Sequence, residues 1–205
     1  GFVHQDTGLR QYLECMIVEG RKNGKTTEIA ALELALLIAD GEGAPEIYNI
    51  ATKREQAAKA FDACVNMRQQ SPEIANVIKK RKQDLYFPAN MGFIRVLASS
   101  TNSLDGLNAH GILIDELAAI KNRQIYDDMK QSQSARSQPL LFSISTNRFV
   151  RENIFDAQYD YASGVLDGSI TDPTFLPWIY ELDMREEYLD EAMWSKANPG
   201  LGTIK

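Results

Sequence analysis

Histidine and cysteine are almost missing from these 205 residues, which hold only His4, His110, Cys15 and Cys64. Two cysteines cannot build a disulfide framework or a four-thiolate zinc site, and two histidines make a histidine-based metal centre a poor expectation. Both cysteines read as small core residues in a reducing, cytoplasmic compartment. Long apolar runs are lacking too: nothing approaches the roughly 20 residues that cross a bilayer, so no membrane partner is expected. The start, GFVHQDTGLRQ, has no basic-then-apolar signal pattern and no initiator Met, so the chain reads as a fragment of a longer protein. Basic charge is also in short supply, with 22 Lys and Arg against 28 Asp and Glu, a net of −6. A protein that coats nucleic acid is more basic than this, so any contact with DNA must be local.

What is present is an α/β alternation. Residues 12–19 and 47–52 read as buried strands, followed by helices over 26–39 and 53–70. DLYF and FIRVLAS, joined by PANMG, predict a hairpin. Residues 111–115 and 139–146 are apolar strands separated by a helix over 121–132. A helix near 152–166, a strand over 175–182, a weaker helix around 185–195 and a linker-like ending, ANPGLGTIK, complete the chain. The pattern predicts a mostly parallel central sheet flanked by helices. Residues 1–150 carry 18 basic and 17 acidic residues, whereas residues 151–205 carry 4 and 11. That shift predicts a core over 1–150 and a small acidic subdomain over 151–205, with Trp178, Trp194, Tyr159, Tyr161, Tyr180 and Tyr188 as its own core.

Chemistry concentrates in three motifs. The first is EGRKNGKTT (residues 19–27), between a strand and a long helix, the context of a phosphate-binding loop. Gly24, Lys25 and Thr26 fill the second half of G-x-x-x-x-G-K-[ST], while its first glycine position holds Glu19, with Gly20 one place later. Amides at a helix start, aided by the helix dipole, bind an anion. Asn23, Gly24, Lys25, Thr26 and Thr27 are the expected nucleotide-binding residues. Lys25 reaches the β- and γ-phosphates, the Thr26 hydroxyl ligates Mg²⁺, and Arg21 meets the γ-phosphate.

The second motif is GILIDELAA (111–119), an apolar strand ending in adjacent acids. Asp115 is the expected Mg²⁺ partner, and Glu116 the base that orients and deprotonates an attacking water. That pairing predicts a hydrolase rather than a kinase. The third is SISTN (143–147), where Ser145, Thr146 and Asn147 are placed to sense the γ-phosphate and pass its loss onward. Apart from these, Lys79, Lys80, Arg81 and Lys82 form the one dense basic run, read either as a grip on a duplex backbone or as a solvated helix end.

RKNGKTT, SLDGLNAHGILIDELAA, ARSQPLLFSISTN and DLYFPANMGFIRVLASS occur in one order over most of residues 9–200. In this they resemble the large terminase subunit of tailed bacteriophages, the ATP-driven motor that packages DNA into a procapsid. The resemblance implies a P-loop NTPase of the additional-strand, catalytic-glutamate type, using ATP and Mg²⁺. It gives Lys25, Thr26 and Arg21 the nucleotide, Asp115 and Glu116 the metal and water, and Ser145–Asn147 the coupling of hydrolysis to movement. It further implies a ring homo-oligomer on the procapsid, although the isolated domain is expected to be monomeric. Implied partners are double-stranded DNA, portal and small terminase subunit, in the host cytoplasm. Residues 151–205 become a lid or linker toward an absent nuclease domain, so nuclease activity is not expected of this chain. Gln5 and Gln11 are the glutamines nearest the place of the family's adenine contact, and Arg136 and Arg148 are candidates for an arginine acting across a subunit interface. Asp172, Glu181 and Asp183 read as a solvated acidic face rather than a nuclease cluster. The alternatives are a helicase-like, nucleic-acid-stimulated ATPase, a P-loop kinase, which Glu116 argues against, and a non-catalytic assembly module. A GTPase is disfavoured because no guanine-reading Asn-Lys-x-Asp is present.

Overall fold

A strand covered on both faces must be apolar at nearly every position. ECMIV, AHGILID and LLFSIS meet that demand and are buried throughout, apart from the half-exposed Asp115. In the computed structural model, which describes residues 3–51, 54–98, 106–120, 122–146 and 154–203, they form the middle of a sheet. The elements in chain order are β1 (Glu14–Val18), α1 (Lys25–Ile38), β2 (Glu46–Ala51), α2 (Arg54–Gln70), α3 (Pro72–Val77), β3 (Lys79–Lys80), β4 (Asp84–Phe87), β5 (Gly92–Ala98), β6 (Ala109–Asp115), α4 (Arg123–Gln131), β7 (Leu140–Ser145), α5 (Ile154–Leu166), β8 (Phe175–Ile179) and α6 (Trp194–Ala197).

The eight strands pair in the order β3-β4-β5-β2-β6-β7-β1-β8. From β5 to β8 they run parallel, and β4 is antiparallel to both of its neighbours, β3 and β5. β7 is thus inserted between the strand that feeds the phosphate loop and the strand that ends in Asp115. Alternation along each strand divides the core in two. Cys15, Ile17, Leu113, Phe142 and Ile144 face the side packed by α1 and α2. Met16, Val18, Ile112, Ile114 and Leu141 face the side packed by α4 and α5. Each fully buried Ile or Leu contributes roughly 1.5–3 kcal/mol through burial. Both cysteines belong to this core, and desolvation pushes the Cys15 thiol up to about 12. Among the described residues no helix is long and apolar enough to cross a membrane.

Four expectations need correction. The charge shift at residue 150 is not a break in the fold, because β8 hydrogen-bonds to β1 inside the central sheet; only the chain after β8 leaves it. The aromatic residues of that region make no core of their own. Tyr159 and Tyr161 pack on the α5 side of the main core, whereas Trp178, Tyr188 and Trp194 are exposed. The helix expected around 185–195 is two short 3₁₀ turns, Arg185–Leu189 and Glu191–Met193, before α6. Finally, the basic run is not a helix end. Lys79 and Lys80 form the exposed edge strand β3, where Lys charge blunts edge-to-edge pairing. Arg81 binds Asp84 and lies 4.0 Å from the Tyr86 ring centroid. Burial works against ionisation of Asp84, but hydrogen bonds from Arg81 and Arg95 outweigh it and hold its carboxyl below the usual range.

Candidate nucleotide-hydrolysis site

Strand register assembles the site. Val18 lies level with Ser145, and Ile144 with Asp115, so β1, β7 and β6 end together. The chain leaves β1 through Glu19, whose amide donates to the Ser145 carbonyl at 3.2 Å. It then makes the loop that starts α1. Gly24 sits at φ 99°, a conformation only glycine adopts at ease, and Lys22 is left-handed as well, at φ 65°. Gly24 has no side chain to cap α1, and its carbonyl accepts from the Thr27 and Glu28 amides at 2.8 and 3.1 Å. Lys25 Nζ donates to the Gly20 carbonyl at 2.7 Å and the Glu19 carbonyl at 3.4 Å, which folds the ammonium back over the loop. Arg21 is exposed at the loop apex, Thr26 is half-buried at its base, and Thr27 is exposed on the first turn of α1.

Across β7 stands the acidic pair. Glu116 adopts φ 68°, ψ 64°, a left-handed backbone that an ordinary residue holds only when its surroundings enforce it. Here they do. Its amide donates to the Ile144 carbonyl at 2.9 Å, and its carboxylate accepts from Ser145 Oγ at 3.0 Å and Thr146 Oγ1 at 3.2 Å. Ser145 Oγ also accepts from the Ala118 amide at 3.2 Å, which fixes the turn that carries Glu116. The residues expected to sense phosphate therefore hold the expected base. Asn147 and Arg148 lie outside the described residues.

Asp115 is half-buried beside this group. Burial, then the charge of Glu116, raise its carboxyl above the ordinary range against the opposing pull of Lys25 and Lys59. A half-buried carboxylate in that condition favours a bound cation. With the Thr26 hydroxyl, Asp115 would supply hard oxygen donors of the kind Mg²⁺ prefers. The residues therefore fit the ion. Lys59, on α2, is a cation at this site with no motif to announce it.

Other expected residues lie elsewhere. Gln11 sits just ahead of β1, at the rim opposite the loop, and Gln5 is in an exposed turn. Arg136 is at that opposite rim too, donating to Glu42 and to the carbonyls of Gly43, Ala44 and Asn108. Its side chain is only 8% exposed, so it is a structural brace and cannot reach into a neighbouring subunit. Asp172, Glu181 and Asp183 take separate partners, Tyr161 and Thr174, Tyr159, and Lys196. β8 separates the first of them from the other two.

Residues 1–164 match the family described as "Terminase large subunit, ATPase domain". The chain belongs to that family. It is similar to the terminase large subunit of Enterobacteria phage HK97, with 29% identity over 191 residues, 90% of this chain and 37% of that protein. The crystal structure of the HK97 large terminase superposes with a TM-score of 0.83 at 25% identity, covering 95% of this chain and 40% of that one. Two more distant terminases share the fold. The ATPase domain from Thermus phage P74-26 gives a TM-score of 0.67 at 15% identity, over 97% of this chain and 92% of that one. The large terminase of bacteriophage D6E in complex with ATP-gamma-S gives 0.61 at 12%, over 84% and 40%. The chain thus spans well under half of the HK97 protein, and corresponds to the ATPase portion of a terminase large subunit.

Proposed function

We propose that this terminase ATPase domain hydrolyses ATP and that, within the longer protein, hydrolysis drives double-stranded DNA into a viral procapsid. The observation that carries the reading is the carboxylate of Glu116, held by Ser145 and Thr146 on the same rim as the phosphate loop. In this reading Lys25 and the loop amides hold the β- and γ-phosphates, and Arg21 closes over the γ-phosphate from the apex. Thr26 and Asp115 hold Mg²⁺, which, when bound, neutralises charge on the phosphates. Glu116 accepts a proton from the attacking water, and its hydrogen bonds to β7 keep it aimed. Loss of the γ-phosphate is felt by Ser145 and Thr146 through the Glu116 carboxylate they share, and Asn147 passes it onward. The ATP-gamma-S bound to the D6E terminase supports the choice of nucleotide.

The finer assignments rest on this family reading. The part of residues 151–205 that follows β8 acts as a lid or linker toward a nuclease domain, and Lys79, Lys80 and Lys82 on the sheet edge add a weak, sequence-independent contact to duplex phosphates. Portal, small terminase subunit and a ring of like subunits are the partners of the whole protein in the host cytoplasm. The test is phosphate release from ATP–Mg²⁺ with and without nucleic acid. Release increased by duplex supports a packaging ATPase. Release increased by single strands alone would point to a helicase-like enzyme, and transfer of phosphate to an acceptor in place of water would overturn hydrolysis.

A further inference from the structure

Gly20 and Asn23 stand in the phosphate loop, and Ala197–Gly200 lies some 175 residues later, yet the two segments are joined. The Gly20 amide donates to the Ala197 carbonyl at 3.1 Å, and the Gly200 amide to Asn23 Oδ1 at 3.1 Å. Asn23 Nδ2 donates to the Gly20 carbonyl at 2.9 Å, bracing the loop across its own width, and reaches Asn198 Oδ1 at 3.4 Å. Asn23 is 2% exposed, and Gly200 is buried as well. Asn198 is anchored in turn, since its Nδ2 donates to the Trp194 carbonyl at 3.0 Å. The close approach also accounts for a glycine at position 20, one place later than the loop pattern asks. A Cβ there would stand 2.6 Å from Asn198 Oδ1 and 3.0 Å from the Ala197 carbonyl.

We infer that Ala197–Gly200 is a clasp on the phosphate loop and that Asn198 is a positioning residue for nucleotide binding. Asn23 holds the loop in shape only while its amide oxygen and nitrogen are both satisfied, and the clasp satisfies them in a site closed to water. The two left-handed residues around it, Lys22 and Gly24, are held in the conformation that shapes the loop. Docking of the clasp therefore favours nucleotide binding, and by linkage a bound nucleotide favours docking of the clasp. The segment that continues beyond residue 200 thereby receives the state of the loop directly, independently of the β7 residues. This inference rests on the reading that the loop binds ATP.

The test combines titration calorimetry of ATP-gamma-S–Mg²⁺ with amide hydrogen exchange at Gly20 and Gly200, on the unaltered chain, Asn198→Ala and Gly20→Ala. Affinity is expected to fall about tenfold in both variants, one breaking the clasp from its own side and the other from the loop side. In the unaltered chain, nucleotide is expected to slow exchange at the Gly200 amide, which lies outside any phosphate contact. Unchanged affinity in Asn198→Ala with only a lower melting temperature would make the segment a structural strut and overturn the clasp. A Gly200 amide indifferent to nucleotide in the unaltered chain would overturn it without recourse to any variant. No binding by the unaltered chain would instead remove the nucleotide reading itself, and the clasp with it.

Discussion

The two rims of the sheet solve opposite problems with the same kinds of residue. At the rim where the parallel strands begin, charge is neutralised internally. Asp40 accepts from Arg10 and from His110 Nε2, and Arg136 pairs with Glu42 at 3.0 Å. At the rim where the strands end, Lys22 and Glu116 hold left-handed backbone, and Asp115 and Glu116 stand side by side. The first rim fastens the fold; the second stores alignment for a nucleotide. Left-handed backbone occurs at both rims, at Ala44 and Met91 on the first, so it is like charge that sets the second apart: adjacent carboxylates collect where a bound cation relieves them.

Substitutions at the two rims should therefore separate chemistry from stability. The largest effect is expected at the loop: Lys25→Ala removes the ammonium that meets the phosphates and should lower ATP turnover at least 100-fold, roughly the weight of one electrostatic transition-state contact. Steady-state phosphate release reads this, and thermal unfolding should be nearly unchanged. Next, Arg136→Ala strips a brace from Glu42 and three carbonyls. It should cost about 3 kcal/mol in denaturant unfolding while turnover per folded molecule stays the same. If Arg136→Ala instead abolished turnover at full stability, the division between the rims would be wrong.

A third test lies in the core between them. Glu33 is fully buried on the inner face of α1, and desolvation raises its carboxyl to about 8 despite a hydrogen bond from the Cys64 thiol. The folded chain keeps this proton up to about pH 8, whereas the unfolded chain releases it near 4.5. Between those values the folded state holds the extra proton, so Glu33 makes stability fall as pH rises. Glu33→Gln should flatten that slope and gain roughly 1–2 kcal/mol at pH 8, measured as unfolding free energy at pH 5 and pH 8. A smaller change is expected from Ser145→Ala, which frees the Glu116 carboxylate on one side. It should reduce kcat about tenfold and leave ATP affinity intact; an equal loss of affinity would place Ser145 on the nucleotide instead.

The rim where the strands end was largely legible in the sequence because each of its parts is a short run: a glycine-lysine turn, an apolar strand ending in two acids, and a strand ending in hydroxyls. Strand order placed them together, but that β7 would hold Glu116 through Ser145 and Thr146 was visible only in three dimensions. Two features carried signals that periodicity reading passed over. Ser71-Pro72 marks the start of α3, with Ser71 Oγ accepting from the Ile74 amide, and Glu33 occupies an inward position among Ala30, Leu34 and Leu37 on α1. The charge network where the strands begin and the Ala197–Gly200 clasp could not be read at all. Their partners are separated by up to 177 residues, and an Asn-Pro-Gly segment looks like any linker. The composition break at residue 150 misled because net charge reports the solvent-facing residues, whereas β8 is placed by its apolar inner face.

The central claim is that Glu116, held by β7, activates water for attack on ATP. It is tested most directly by phosphate release and ATP-gamma-S binding measured side by side on the unaltered chain and on Glu116→Gln, with duplex DNA present. The account predicts binding within about twofold of the unaltered chain and release lowered 100-fold or more in the variant, as removal of a general base requires. Equal and substantial release from both proteins would contradict it.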